Sequence, residues 1–275
     1  MCGICGFTSN IDNRKNILNS MMLPLHSRGP DAEGFYIKNE IALGHKRLSI
    51  LDLNMRANQP FHDDVSGLSL VYNGEIYNFK ELKNELIEKF NCKFLTTSDT
   101  EVVLKSFKYW GTDCFLKFDG MFALGIWDEP KKQLTLARDK FGEKPLYYNE
   151  FKNGNKKEIS FSSELNSLKY GPKFNKKLNK KSIKSYLINN YANSLETFYV
   201  GSHQMEPGTF LVFKNNAIKI KKYFLIDKYF NKRKNYKRFD PIELDSIISK
   251  TVKSRMISDV KLGVFLSGGL DSSII

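Results

Sequence analysis

The chain has 275 residues, 41% of them hydrophobic, enough for one large domain or two ordinary ones around a packed core. No apolar run approaches the roughly 18 to 20 residues of a membrane span, and MCGICGFTSNIDNRK lacks the basic start and apolar middle of a signal peptide, so no membrane segment and a cytoplasmic location are expected. The net charge of +13 is local: residues 151–240 hold 20 Lys and Arg against 6 Asp and Glu, and the rest of the chain is near neutrality. That stretch has tyrosines interleaved with its lysines but no helix-turn-helix, RNP or zinc-finger pattern. A solvated basic connector is therefore expected, and no nucleic-acid partner.

The chain opens MCGICGF. If Met1 is trimmed, Cys2 becomes the first residue and carries a nucleophilic sulfur and a free α-amine on one carbon skeleton. The bland alternative is a small apolar residue starting a strand. Four cysteines (Cys2, Cys5, Cys92, Cys114) are too few and too scattered for a disulfide framework. Cys2 and Cys5 form a C-x-x-C, but Cys92 and Cys114 stand 22 apart and His26, His45, His62 and His203 show no ligand spacing, so no metal site is expected.

CGICGF and GLSLVYN read as strands, and ELKNELIEKF as a helix with Leu82, Leu86 and Phe90 at i, i+4 and i+8. TSDTEVVLKSFKYWG predicts a helix with Ser98, Asp99 and Thr100 as candidate caps and Gly111 as its stop. MFALGIWD and QLTLARD, joined by EPKK, predict a hairpin, and ISFSSEL a further strand. Strands joined by hairpins and mixed with helices point to an α/β domain with antiparallel sheets rather than a βαβ series. PIELDSIISKTVKSRM predicts a helix, and KLGVFL a short buried strand running into SGGLDSS. A strand emptying into a Ser/Gly turn before a helix can gather backbone N–H groups on a phosphate. It lacks the lysine of the G-x-x-x-x-G-K-[ST] loop, so a pyrophosphate half of ATP suits it better.

MCGICGF, RGPD (Arg28 to Asp31), HKRLSILD, YNGEIYN, SDTEV, DGMFALGIWD, LARDKFGEKPLYY, FSSEL and GVFLSGGLDSS stand in the order found in glutamine-dependent asparagine synthetases, which the chain resembles over nearly its whole length. The resemblance implies an α+β fold: an N-terminal nucleophile hydrolase, a four-layer α/β/β/α sandwich, over residues 2–210. A basic connector over 211–240 would follow, then over 241–275 the truncated start of an α/β ATP-pyrophosphatase-type domain. It implies that Cys2 attacks the glutamine carboxamide with its own α-amine as base, and that the Asn73 side chain and the Gly74 N–H stabilise the oxyanion. Arg47 would grip the α-carboxylate and Asp99 the α-ammonium, with Leu48, Ser49, Ile50 and Leu51 on one wall and Glu75 opposite. Read alone, each has a bland alternative: Arg47 as a surface ion pair, Asp99 as a helix cap, Asn73 and Gly74 as a hairpin turn.

By the same resemblance Leu266, Ser267, Gly268, Gly269, Leu270, Asp271, Ser272 and Ser273 hold ATP, with Mg as a substrate complex, while aspartate is adenylated and ammonia displaces AMP. Asp271 can equally cap the following helix. The partners implied are glutamine, aspartate and ATP, and a homodimer is left open. Two departures stand out: Ser27 separates His26 from RGPD, where the family has His, and the chain stops two residues past SGGLDSS, as a fragment would. Alone it is expected to be at most a glutaminase. A related enzyme amidating another carboxylate, such as a surface-polysaccharide or antibiotic precursor, would share this half, and a basic interaction or nucleic-acid-binding protein is the non-enzymatic alternative.

Overall fold

A computed structural model describes residues 1–192, 195–230 and 240–275. Among the described residues, twelve strands form two six-stranded antiparallel sheets. The first takes β1 (Gly3–Thr8), β2 (Ala32–Lys38), β3 (Ile41–Arg47), β8 (Tyr147–Asn153), β9 (Lys156–Ser162) and β10 (Ser202–Gln204), in the order β10-β8-β9-β1-β3-β2. The second takes β4 (Phe61–Asp63), β5 (Leu68–Ile76), β6 (Gly120–Asp128), β7 (Gln133–Arg138), β11 (Thr209–Lys214) and β12 (Ala217–Lys222), in the order β12-β11-β7-β6-β5-β4.

Three hydrophobic cores separate four layers. Ile4, Leu43 and Phe161 of the first sheet meet Val71, Trp127 and Leu136 of the second between the sheets. The Phe161 ring lies so close to Gly125 that a Cβ there would come within 2.9 Å of it. On the outer face of the second sheet, Leu70, Tyr72 and Phe122 pack against Leu82 and Leu86 of the helix Phe79–Phe90 and Val102, Val103 and Phe107 of the helix Asp99–Trp110. On the outer face of the first, Cys5, Phe7 and Ala42 pack against Leu18, Met21 and Met22 of the helix Arg14–Met22. Both faces of the central strands are therefore covered, which is why MFALGIWD reads as an unbroken apolar run. The resulting α/β/β/α sandwich is the N-terminal nucleophile hydrolase architecture that the motifs imply.

The local expectations mostly find their elements, with three differences. Phe90 does not complete the buried stripe; it stacks on Tyr109 at 4.4 Å near the surface, and Phe79 enters the core instead. The stretch expected as a connector from residue 211 begins inside a strand: β11 and β12 extend the second sheet past residue 210. AIKIKK of β12 is an exposed edge whose lysines protect it from further pairing, and those lysines hid it among the basic residues. Much of DKYFNKRKNYKRFD lies outside the described residues. Finally, KLGVFL is not a strand: no strand pairs with it among the described residues, and an extended segment without a partner has no ladder for its backbone groups. The helix Pro241–Arg255 does form, capped by Asp240 Oδ1, which accepts from the N–H groups of Ile242 and Glu243.

Candidate active site

The N-terminal strand lies in the middle of its sheet, between β3 and β9, and its first residues are anchored from several directions. The Ile4 N–H donates to Ser163 Oγ at 3.0 Å and the Ser163 N–H returns a bond to the Ile4 carbonyl at 2.8 Å. Arg28 Nε donates to the Cys2 carbonyl at 3.0 Å while its Nη1 pairs with Glu164 at 3.0 Å. The RGPD and FSSEL motifs thus meet on the chain start. Pairing of Gly3 with Lys46 sets Cys2 beside the end of β3, where its Sγ accepts from the Leu48 N–H at 3.4 Å and faces the Leu48 carbonyl at 3.6 Å. Burial pushes this thiol above its ordinary value and the Met1 ammonium below its own. A thiol held protonated by burial needs a base before it can act as a nucleophile. Cys5, by contrast, points into the outer core, fully buried, with its thiol pushed far up.

A pocket of about 100 Å³ opens beside Cys2. Asn73, Gly74 and Glu75 reach it from the strand β5 rather than from a hairpin turn. Asn73 is 1% exposed, and its Nδ2 has no hydrogen-bond partner among the described residues. A buried amide donor left unpaired costs about 1 to 3 kcal/mol, so it marks a place for an acceptor. Gly74 is pressed against β6, where a Cβ would come within 2.3 Å of the Met121 carbonyl oxygen. Burial raises the Glu75 carboxyl, and nearby Asp99 raises it further.

Asp99 is not the cap of its helix. Ser98 is, its Oγ accepting from the Thr100 N–H at 3.2 Å. Asp99 is buried on the pocket wall, where its Oδ2 accepts from the Tyr72 hydroxyl at 2.8 Å and the Ile76 N–H at 3.1 Å. Burial raises its carboxyl above the usual range despite these bonds. Glu101, the next acid of SDTEV, turns the other way and holds the N–H groups of Leu95 and Thr96.

Arg47 is no surface ion pair either: it is 5% exposed and lines the pocket. Its Nη1 donates to the Asn54 carbonyl and Asn58 Oδ1, and its Nη2 to the carbonyls of Leu51 and Asp52, at 2.5 to 3.1 Å. The guanidinium therefore shapes the 48–58 loop as well as facing the pocket. Leu48, Ile50 and Leu51 of that loop line the cavity; Ser49 does not, and its N–H is taken by Asp31 of RGPD at 2.7 Å.

Several wall residues were not among those expected at the site. Gln59 lines the pocket and accepts from the Tyr72 N–H at 2.6 Å. Lys144, 5% exposed, is delivered to the pocket by a turn that Asp139 ties down from the N–H groups of Phe141, Glu143 and Lys144. Met1 also lines the cavity. The eight residues Leu266 to Ser273 lie elsewhere, on the surface, where Ser267 shares a hydrogen bond at 2.9 Å with Ser272 of the short helix Leu270–Ile274.

Residues 1–224 match the family model of the glutamine amidotransferase domain, and residues 243–275 that of asparagine synthase. The chain belongs to the glutamine amidotransferase domain family. Over its whole length it is 38% identical to a putative glutamine-hydrolyzing asparagine synthetase 2 of Methanocaldococcus jannaschii, covering 56% of that protein. It is 33% identical to glutamine-hydrolyzing asparagine synthetase 2 of Bacillus subtilis, covering 38%, and 33% identical to amidase chry2 of Gibberella zeae, covering 42%. The chain thus spans about half or less of these curated relatives. The amidotransferase sandwich also superposes on the glutamine phosphoribosylpyrophosphate amidotransferase of B. subtilis with a TM-score of 0.58 at 19% identity, over 82% of this chain and 50% of that one, a likeness of fold.

Proposed function

We propose that this chain hydrolyses glutamine to glutamate and ammonia, and that the ammonia serves a synthetase that amidates aspartate at the expense of ATP. The observation that carries the first half is the convergence on one pocket of the Cys2 sulfur, the unpaired Nδ2 of Asn73 and the buried carboxylate of Asp99. After removal of Met1, the Cys2 α-amine takes the thiol proton as sulfur attacks the carboxamide carbon. The oxyanion accepts from Asn73 Nδ2 and the Gly74 N–H, and the amine passes the proton to departing ammonia. Water then hydrolyses the thioester to glutamate. Asp99 pairs with the substrate ammonium, and Arg47, through the donor its loop contacts leave over, with the carboxylate.

The second half rests on the asparagine synthase match of residues 243–275 and on the relatives named for that activity. Residues Leu266 to Ser273 would meet ATP, with Mg as part of the substrate. The amidotransferase unit runs to about residue 224 in this reading, as the matched range and β12 support. Amidation of a different carboxylate is a second reading, favoured by the similarity to a fungal amidase.

Treatment with a diazo-ketone glutamine analogue followed by intact-mass and peptide mapping tests the glutamine site. The expected product starts at Cys2 and is labelled there. Retained Met1, or label only on Cys5, Cys92 or Cys114, would sink the assignment.

A further inference from the structure

The loop that walls the glutamine pocket is held from two sides. Arg47 grips it from within, and Asp52 locks it locally: at φ +46°, its carboxylate accepts from the Thr97 N–H at 2.9 Å and from Asn54. From outside, a reciprocal pair of hydrogen bonds reaches the same loop from 207 residues further along the chain. The Asp52 N–H donates to Asp259 Oδ2 at 2.8 Å, and the Asp259 N–H donates to the Ile50 carbonyl at 3.0 Å. The neighbouring residues strengthen the attachment. Ile257, like Leu51, packs against the core of the second sheet's outer face, and the Arg255 guanidinium lies over the Tyr77 ring at 4.6 Å. Elsewhere residues 241–275 touch little: the helix Pro241–Arg255 has no buried residue and Phe265 is fully exposed.

We propose that Asp259 is a positioning residue for the glutamine pocket, fixing the Leu48–Asp52 wall from the segment that leads into SGGLDSS. The two bonds bracket Ile50 and Leu51, both pocket-lining, so the wall cannot swing outward without breaking them. Because the tether sits eight residues before Ser267, displacement of that segment is felt at the pocket as a change in glutamine affinity rather than in the chemical step. The kinetic half of this inference rests on the glutaminase reading above.

Asp259→Ala removes the acceptor of the Asp52 N–H, whereas Asp259→Asn keeps an oxygen there. In the full chain, hydrogen exchange at the Asp52 amide is expected to accelerate in the alanine variant and to stay near wild type in the asparagine variant. The glutamine KM is expected to rise about fivefold in Asp259→Ala, the scale of one hydrogen bond, with kcat within about twofold of wild type and recovery in Asp259→Asn. Unchanged Asp52 protection in Asp259→Ala overturns the proposal whatever the kinetics, and so does lost protection with KM unmoved. Absence of turnover in wild type and variants alike would instead overturn the glutaminase reading, with the exchange rates still deciding the tether.

Discussion

The sandwich and the C-terminal stretch carry sequence signals of similar clarity and meet very different structural fates. YNGEIYN and SDTEV fall on the end of β5 and on a helix start, both packed into the sandwich, so their polar atoms are aimed and desolvated. SGGLDSS falls on an exposed turn and the start of a short helix, its serines bonded to one another and to the Gly269 carbonyl. A motif names the atoms that chemistry needs, but enclosure turns them into a site.

That contrast is open to measurement. The largest effect is expected from opening the enclosed region itself: Phe161→Ala, between the sheets, should lower unfolding stability by about 3 to 5 kcal/mol, read by urea denaturation. Next comes Asn73→Ala, expected to cost about 3 kcal/mol of transition-state stabilisation, roughly a hundredfold in kcat, with KM little changed. If affinity alone falls, the oxyanion assignment is wrong.

Acidification should act through Asp99. Its raised carboxyl takes up a proton at higher pH than a surface carboxyl does, and the protonated form cannot pair with an ammonium. The glutamine KM should therefore climb as pH falls, beginning above the ordinary carboxylate range, and Asp99→Asn should give a high KM that does not follow this rise. The smallest effect belongs to the open region, where Phe265→Ala should move stability by less than about 0.5 kcal/mol. A loss comparable to that of Phe161→Ala would mean that residues 261–266 are packed after all.

The sequence made legible what is contiguous. Each strand of the hairpin β6–β7 shows its own pattern, and Cys2, Asn73 and Asp99 stand inside short motifs. What stayed hidden are partnerships across the chain: Arg28 with the Cys2 carbonyl and Gln59 with Tyr72. No spacing rule links such residues, because sheet order rather than sequence separation decides who meets. The bland alternatives failed for local reasons. Ser98 capped the helix and freed Asp99, and β5 ran on through Asn73 and Gly74 where a turn had been conceivable. KLGVFL misled in the opposite direction, since an apolar run predicts a strand only when another strand lies beside it.

The chain start sits in a socket assembled from residues made much later. Its strand is bordered by β9, its backbone is tied to Ser163, and the arginine on its second carbonyl is braced by Glu164. During synthesis, then, β3 and Leu48 can flank the cysteine early, but about 160 further residues must follow before its socket is complete. If the chain hydrolyses glutamine as proposed, products cut short before Ser163 would lack the fully anchored cysteine that the reaction needs.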